Sequence, residues 1–152
     1  MILYSQDAAT YGTLRPLTIG VSGRGATRLP KVPRIVVIED DASYREALRN
    51  LISLLGYSVE AFCSAKAFLE SDTIHLTSCV ITDVQMPGMT GVELQRRLLV
   101  AGHKTPIIFL TAYPEETIRA RVILDGAIDY LSKPLGEERL LVSLGRALEV
   151  SH

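Results

Sequence analysis

The chain has 152 residues, of which 47% are hydrophobic and 22% charged, and this is typical of one globular domain with a buried core. Its net charge of −1 gives no general attraction to nucleic acid or to anionic lipid. Its two cysteines, Cys63 and Cys79, are too few for a disulfide framework, and both lie in apolar sequence, so we expect two buried, reduced thiols. No stretch approaches the roughly 18 apolar residues of a membrane span. With no recognisable secretory signal either, we expect a cytoplasmic protein that does not engage the membrane.

Residues 1–33 differ in composition from the rest of the chain. They carry four basic residues against a single acid, Asp7, a local charge of +3 that leaves −4 for the remainder. Glycines and prolines punctuate the segment, and it shows no amphipathic period. We predict a disordered tail or a start codon assigned too early, with a basic arm that touches a partner as the alternative. Residues 34–150 are predicted to form one folded domain.

Apolar runs and helical patterns alternate from residue 34 onwards. The predicted strands are residues 35–38, 57–62, 79–83, 106–110 and 127–131. The helical patterns that follow them span about residues 44–55, 64–69, 91–101, 114–125 and 140–148, the last with Leu140, Leu141, Leu144 and Leu148 on one face. Asp41 or Ser43 can cap the first helix, and Gly56 ends it. This alternation predicts an α/β fold, a doubly wound five-stranded parallel sheet with helices on both faces.

One carboxylate ends the third predicted strand. Asp83 follows the apolar run CVIT, and the turn residues Pro87 and Gly88 come shortly after it. In an open α/β sheet, ligands bind at the carboxyl edge of the strands. Asp83 is therefore placed where a ligand would bind, although a single Asp at a strand end can simply cap the next turn.

Other polar side chains follow the neighbouring strands at the same edge. Glu39 and Asp40 follow the first strand, Thr111 follows the fourth and Lys133 follows the fifth. Three carboxylates held together repel one another, and a hard cation such as Mg²⁺ relieves the repulsion. A carboxylate, a divalent metal, a lysine and a hydroxyl are what phosphoryl transfer to Asp requires. The structural alternative is that the acids cap the first helix and the lysine makes an ion pair.

Four segments carry these residues: IVVIEDD at 35–41, ITDVQMPGMTG at 81–91, FLTA at 109–112 and YLSKP at 130–134. In this order they resemble the receiver domain of two-component response regulators, of the CheY-like superfamily. The resemblance covers about residues 34–149. It implies a flavodoxin-like (βα)5 fold with strand order 2-1-3-4-5.

The resemblance also implies the site. Asp83 would accept a phosphoryl group from a histidine kinase or a phosphotransfer protein. Mg²⁺ would be bound by Asp40 directly, by Glu39 through a water molecule, by Asp83 and by the backbone carbonyl of Gln85. A Glu at position 39, where many members have Asp, is a common variant.

A conformational switch is the second implication of the resemblance. Lys133 would pair with the phosphoryl oxygens, and Thr111 would move to hydrogen-bond them. Tyr130 would turn inward and remodel the face formed by the fourth helix, fifth strand and fifth helix. For Tyr130 the alternative is an ordinary half-buried strand aromatic. We also predict that the bulk of Tyr113 slows self-dephosphorylation.

The implied protein is a signalling phosphoacceptor that assists its own phosphorylation and dephosphorylation, and it is not an enzyme. One rival is a phosphatase with an Asp nucleophile, which usually needs a second acid two residues on, where this chain has Gln85. Another is a receiver-like interaction module that signals without phosphate. We expect no direct binding to nucleic acid, because the chain leaves no room for a helix-turn-helix. The downstream target, a fused output domain and a homodimer of the phosphorylated chain are left open.

Overall fold

The computed structural model describes residues 31–150. Within this range five strands alternate with five α-helices. The strands are β1 (Arg34–Ile38), β2 (Ser58–Phe62), β3 (Cys79–Asp83), β4 (Ile107–Thr111) and β5 (Asp129–Ser132). The helices are α1 (Ala42–Leu54), α2 (Ala65–Glu70), α3 (Gly91–Val100), α4 (Glu116–Leu124) and α5 (Glu137–Val150), with a 3-10 turn at Ile74–Leu76. The tail predicted over residues 1–33 lies, up to residue 30, outside the described residues.

The strands form one parallel sheet in the order β2-β1-β3-β4-β5, so the predicted doubly wound topology is confirmed. Alternate residues of each strand face opposite sides, as the strand period of two requires. Val36 and Ile38 face the core beneath α2, α3 and α4, whereas Ile35 and Val37 face the core beneath α1 and α5. Because both faces are covered, the central strands β3 and β4 are buried along their whole length.

Hydrogen bonds at helix ends explain where the observed element boundaries differ from the predicted ones. The side chain of Asp41 accepts a hydrogen bond from the backbone N–H of Tyr44 at 3.0 Å, so Asp41, and not Ser43, caps α1. The backbone N–H of Ala127 donates to Val122 at the end of α4. Ala127 therefore belongs to the helix end, and β5 starts two residues later than predicted.

Two predictions of burial are wrong. Cys63 is exposed just after β2, whereas Cys79 is buried in β3, where burial raises the pKa of its thiol to about 12. Leu141 is 42% exposed. The buried face of α5 consists of Leu140, Ser143, Leu144 and Ala147. Leu141 lies one residue, about 100° of helix rotation, beyond Leu140 and points away from the sheet.

The part of the chain that the structure describes contains no helix long and apolar enough to cross a membrane.

Candidate functional site

The five polar residues that were predicted at strand ends all lie at the carboxyl edge of the parallel sheet. Asp83 and Thr111 are the last residues of β3 and β4, and Glu39 and Asp40 directly follow β1. Lys133 directly follows β5. Glu39 is only 2% exposed and Thr111 is fully buried, whereas Asp40 faces solvent. The strand order brings β1 and β3 side by side, so residues far apart in sequence meet here.

Lys133 joins two of the strand ends. Its Nζ lies 2.6 Å from Oε1 of Glu39 and 3.1 Å from Oδ2 of Asp83. Burial acts to lower the pKa of Lys133, but the hydrogen bonds to Glu39 and Asp83 outweigh it, and the pKa lies above its ordinary value. The lysine is therefore held as an ammonium between two carboxylates.

Three carboxylates surround a space that a cation could fill. Oxygen atoms of Glu39, Asp40 and Asp83 lie within 4.8 Å of one another. Burial raises the pKa of Glu39, and the nearby charge of Asp83 raises it further, in opposition to the hydrogen bonds from Lys133 and Asp41. Hard divalent cations prefer carboxylate oxygens, and Mg²⁺ usually takes one or two carboxylates and keeps several waters. This acidic pocket has the donor set for such an ion.

Hydrogen bonds to its side chain and to its backbone fix the orientation of Glu39. The backbone N–H of Asp41 donates to Oε2 of Glu39 at 3.0 Å, while Oε1 accepts from Lys133. The guanidinium of Arg45, on α1, donates to the backbone carbonyl of Glu39 at 2.7 Å. Both carboxylate oxygens and the main chain of Glu39 are thus held in place by neighbouring groups.

The backbone of Gly91 lies directly against the backbone of Asp83 and helps to hold it in place. A Cβ built on Gly91 would lie 2.2 Å from the backbone oxygen of Asp83, so only glycine fits at the start of α3. The N–H of Gly91 donates to the carbonyl of Val84, which folds the intervening loop back onto β3. The N–H of Gln85 donates to Oδ1 of Asp83 at 3.3 Å and so turns the carboxylate toward the loop.

Thr111 and Tyr130 lie on adjacent strands and both contact the loop that precedes α4. Oγ1 of Thr111 accepts a hydrogen bond from the backbone N–H of Tyr113 at 3.0 Å. Tyr130 is buried, and its hydroxyl oxygen accepts from the backbone N–H of Glu115 at 3.1 Å. Among the residues that the structure describes, no hydrogen bond joins Thr111 to Asp83. The side chains of Thr111 and Tyr130 therefore each hold the β4–α4 loop through a hydrogen bond to its backbone.

The polar contacts of Asp129, a buried acid on β5, were not predicted. Oδ2 of Asp129 accepts from Ser143 at 2.7 Å and from Arg146 at 3.2 Å, and Arg139 lies 3.9 Å from Oδ1. These contacts attach the start of β5 to α5. The available sequence signal was an acid in an otherwise apolar strand, followed by arginines on the next helix.

The fold and the acidic edge define a class, the CheY-like α/β receiver. Residues 35–144 match the family model described as the response regulator receiver domain. The chain therefore belongs to the response regulator receiver family.

Individual relatives agree with this assignment. The chain is 38% identical over 117 residues to the response regulator protein TodT of Pseudomonas putida, covering 77% of this chain and 52% of TodT. It is 36% identical over 126 residues to the transcriptional regulatory protein TdiR of Thauera aromatica, covering 83% of this chain and 56% of TdiR. The chain thus spans about half the length of these curated relatives.

Solved structures show the same similarity. The response regulator StyR is 38% identical, with a TM-score of 0.74 over 80% of this chain and 61% of StyR. The chemotaxis protein CheY4 of Vibrio cholerae is 28% identical, with a TM-score of 0.70 over 78% of this chain and all of CheY4.

Proposed function

We propose that residues 34–150 form a phosphoacceptor receiver domain in which Asp83 takes a phosphoryl group from a histidine kinase or a phosphotransfer protein. The observation that carries the proposal is the position of Lys133, whose Nζ lies 2.6 Å from Glu39 and 3.1 Å from Asp83 within a three-carboxylate pocket. In such a site the lysine would meet the oxygens of the incoming phosphoryl group at the moment that Asp83 attacks.

The transfer is a displacement at phosphorus. An oxygen of Asp83 forms a bond to phosphorus as the bond to the donor's histidine nitrogen breaks, and the imidazole leaves with the electron pair and takes up a proton. Glu39, Asp40, Asp83 and the backbone carbonyl of Gln85 would hold Mg²⁺. When bound, Mg²⁺ neutralises charge on the phosphoryl oxygens.

The switch is proposed to follow from the new charge at Asp83. A phosphoryl group adds about −1.5 to −2 charge, which attracts Lys133 and offers an acceptor to the hydroxyl of Thr111. If Thr111 turns toward the phosphoryl group, the N–H of Tyr113 loses its acceptor and the β4–α4 loop is released. Tyr130 contacts the same loop, so the α4-β5-α5 face would change with it.

The output is proposed from the relatives. TdiR is described as a transcriptional regulatory protein and is longer than the present chain. We therefore propose that the α4-β5-α5 face addresses a further domain or a separate protein partner, and that a homodimer of the phosphorylated form is one way to present it. A cytoplasmic location is part of the same proposal.

Phosphorylation from a small donor tests the proposal. Wild-type protein, Asp83→Asn and the control Asp125→Asn, which alters an acid at the end of α4, are incubated with acetyl phosphate and Mg²⁺ and weighed by intact mass spectrometry. One phosphoryl group is expected on wild type and on the control, and none on Asp83→Asn. An unmodified wild type would favour a module that signals without phosphate, and equal labelling of Asp83→Asn would place the acceptor elsewhere.

A further inference from the structure

The aromatic ring of Tyr44, on α1, forms one wall of the lysine site. Nζ of Lys133 lies over the ring, 4.5 Å from its centroid, within the roughly 6 Å at which a cation is attracted to an aromatic face. The ring also packs against the core cluster beneath α1 and α5, as does Leu135, in the loop that carries the lysine. Tyr44 is therefore anchored on the core side and contacts the ammonium on the other.

Two carboxylates and one aromatic ring contact the ammonium of Lys133. Glu39 and Asp83 bind it through carboxylate oxygens, and these carboxylates also belong to the proposed metal site. A divalent cation among these carboxylates would compete with the ammonium for their negative charge and would repel it. Mg²⁺ binds oxygen ligands and has little affinity for an aromatic face. The metal therefore does not compete with the ammonium for the ring of Tyr44.

We propose that Tyr44 is a positioning residue that keeps the ammonium of Lys133 beside Asp83 when Mg²⁺ occupies the acidic pocket. The proposal rests on the function proposed above for Asp83 and Lys133. Its consequence is that the ring, and not the hydroxyl, is what phosphoryl transfer requires at position 44.

Substitutions that separate ring from hydroxyl provide the kinetic test. Tyr44→Phe keeps the ring, and Tyr44→Leu keeps an apolar side chain without it. Tyr57→Leu is the matched control, since Tyr57 packs against the same core cluster but precedes β2, at the opposite edge of the sheet. The rate of phosphorylation is measured against acetyl phosphate concentration at saturating Mg²⁺.

We expect the maximal rate of Tyr44→Leu to fall about 3- to 30-fold, the range that a lost cation–π contact of this kind implies. Tyr44→Phe and Tyr57→Leu are expected to stay within about twofold of wild type, because a phenyl ring attracts a cation comparably. The Mg²⁺ affinity of Tyr44→Leu is expected to change less than about threefold, because the ring contacts the ammonium and not a carboxylate. A Tyr44→Leu rate equal to wild type, or a Tyr44→Phe rate as low as that of Tyr44→Leu, would overturn the proposal.

A spectroscopic measurement tests the inference without phosphorylation. Protons held over an aromatic face resonate upfield, so the ε-methylene of Lys133 should show this shift in NMR spectra of ¹³C-lysine-labelled wild type. We expect the shift to persist when Mg²⁺ is added and to vanish in Tyr44→Leu. Loss of the shift on adding Mg²⁺ to wild type would refute the positioning role even if Asp83 is phosphorylated. Its persistence in a protein that takes up no phosphate would support the role and refute the proposed function alone.

Discussion

Oε1 of Glu39 accepts a 2.6 Å hydrogen bond from Nζ of Lys133, although 94 residues separate them in the chain. This bond does not fully compensate the burial of Glu39, whose pKa remains above its ordinary value. An acid whose pKa is raised by folding makes the free energy of unfolding depend on pH, and this dependence can be measured.

Without Mg²⁺, Glu39 is expected to make the free energy of unfolding fall as pH rises above about 4.5. Between the unfolded pKa, near 4.5, and the raised folded pKa, the folded state binds more protons than the unfolded state, so stability decreases with rising pH. Glu39→Gln should therefore lose less stability than wild type across this interval in urea unfolding from pH 4 to 8. Glu70→Gln, which alters an exposed acid, should keep the wild-type slope. Parallel curves for wild type and Glu39→Gln would contradict the prediction.

Mg²⁺ is expected to stabilise the folded protein by relieving repulsion in the acidic pocket. A ligand that binds only the folded state adds about 2.7 kcal/mol at a free concentration of 100 times its Kd. Thermal unfolding in a Mg²⁺ titration at constant ionic strength should show this gain in wild type and a much smaller gain in Asp40→Asn. The gain should also shrink at acid pH, where protons compete for Glu39. Equal stabilisation of both proteins would show that Asp40 is not a ligand.

Tyr130→Phe is expected to weaken the start of α4. The mutation removes the oxygen that accepts the N–H of Glu115, and α4 has no side-chain cap to replace it. A loss of about 0.5–1.5 kcal/mol is expected from one hydrogen bond, with faster hydrogen exchange at the Glu115 amide. Tyr113→Phe is the control, because Tyr113 is 71% exposed. Unchanged exchange at Glu115 in Tyr130→Phe would exclude the capping role.

Two Gly→Ala substitutions should act in opposite directions. At Gly91 the new methyl group would collide with the backbone oxygen of Asp83, and we expect a loss of about 1–3 kcal/mol and a lower phosphorylation rate. At Gly145, within the exposed side of α5, a Cβ meets no atom within 4 Å, and alanine should add about 0.5–1 kcal/mol through its helix propensity. Urea unfolding of both variants measures the difference, and stabilisation by Gly91→Ala would contradict the structure.

Tyr113→Ala is expected to shorten the lifetime of the phosphorylated protein. The side chain follows Thr111 by two residues and is 71% exposed, and its backbone N–H is bonded to Thr111. We predict that the bulky ring obstructs the approach of a water molecule to phosphorylated Asp83. Loss of phosphate is timed by intact mass after the donor is removed, with Tyr57→Ala as the control at the far edge of the sheet. An unchanged half-life would count against a shielding role.

The sheet could be predicted from the sequence because its signals are local. Each strand is a short apolar run, and its alternation with helical patterns predicts a parallel sheet with helices on both faces. The strand order 2-1-3-4-5 came from the family resemblance. The positions of Glu39, Asp83 and Lys133 could be predicted from the strands alone. In a parallel sheet all strands end at the same edge, so residues at the strand ends lie together there.

Contacts between elements could not be predicted in the same way. Asp129 was assigned to a weakly apolar strand, since its partners Ser143 and Arg146 lie on a helix that begins several residues later. The contact between Tyr44 and Lys133 could not be predicted either, because helical periodicity indicates that a side chain faces the sheet but not which atoms it meets there. Leu141 was misplaced because the four leucines of α5 fit more than one stripe along the helix. These contacts depend on how the helices pack on the sheet, which the sequence of one element alone does not determine.

The 94-residue span between Glu39 and Lys133 has a consequence for biosynthesis. A nascent chain that has emerged only as far as β4 already carries Glu39, Asp40 and Asp83 but still lacks the lysine that separates two of them. Without a bound cation, assembly of that edge is electrostatically unfavourable until β5 and Lys133 are added. Synthesis of β5 and of the lysine that follows it, and not the docking of the early strands, is then the event that makes the carboxylate edge competent, and translation products that stop before Lys133 should lack it.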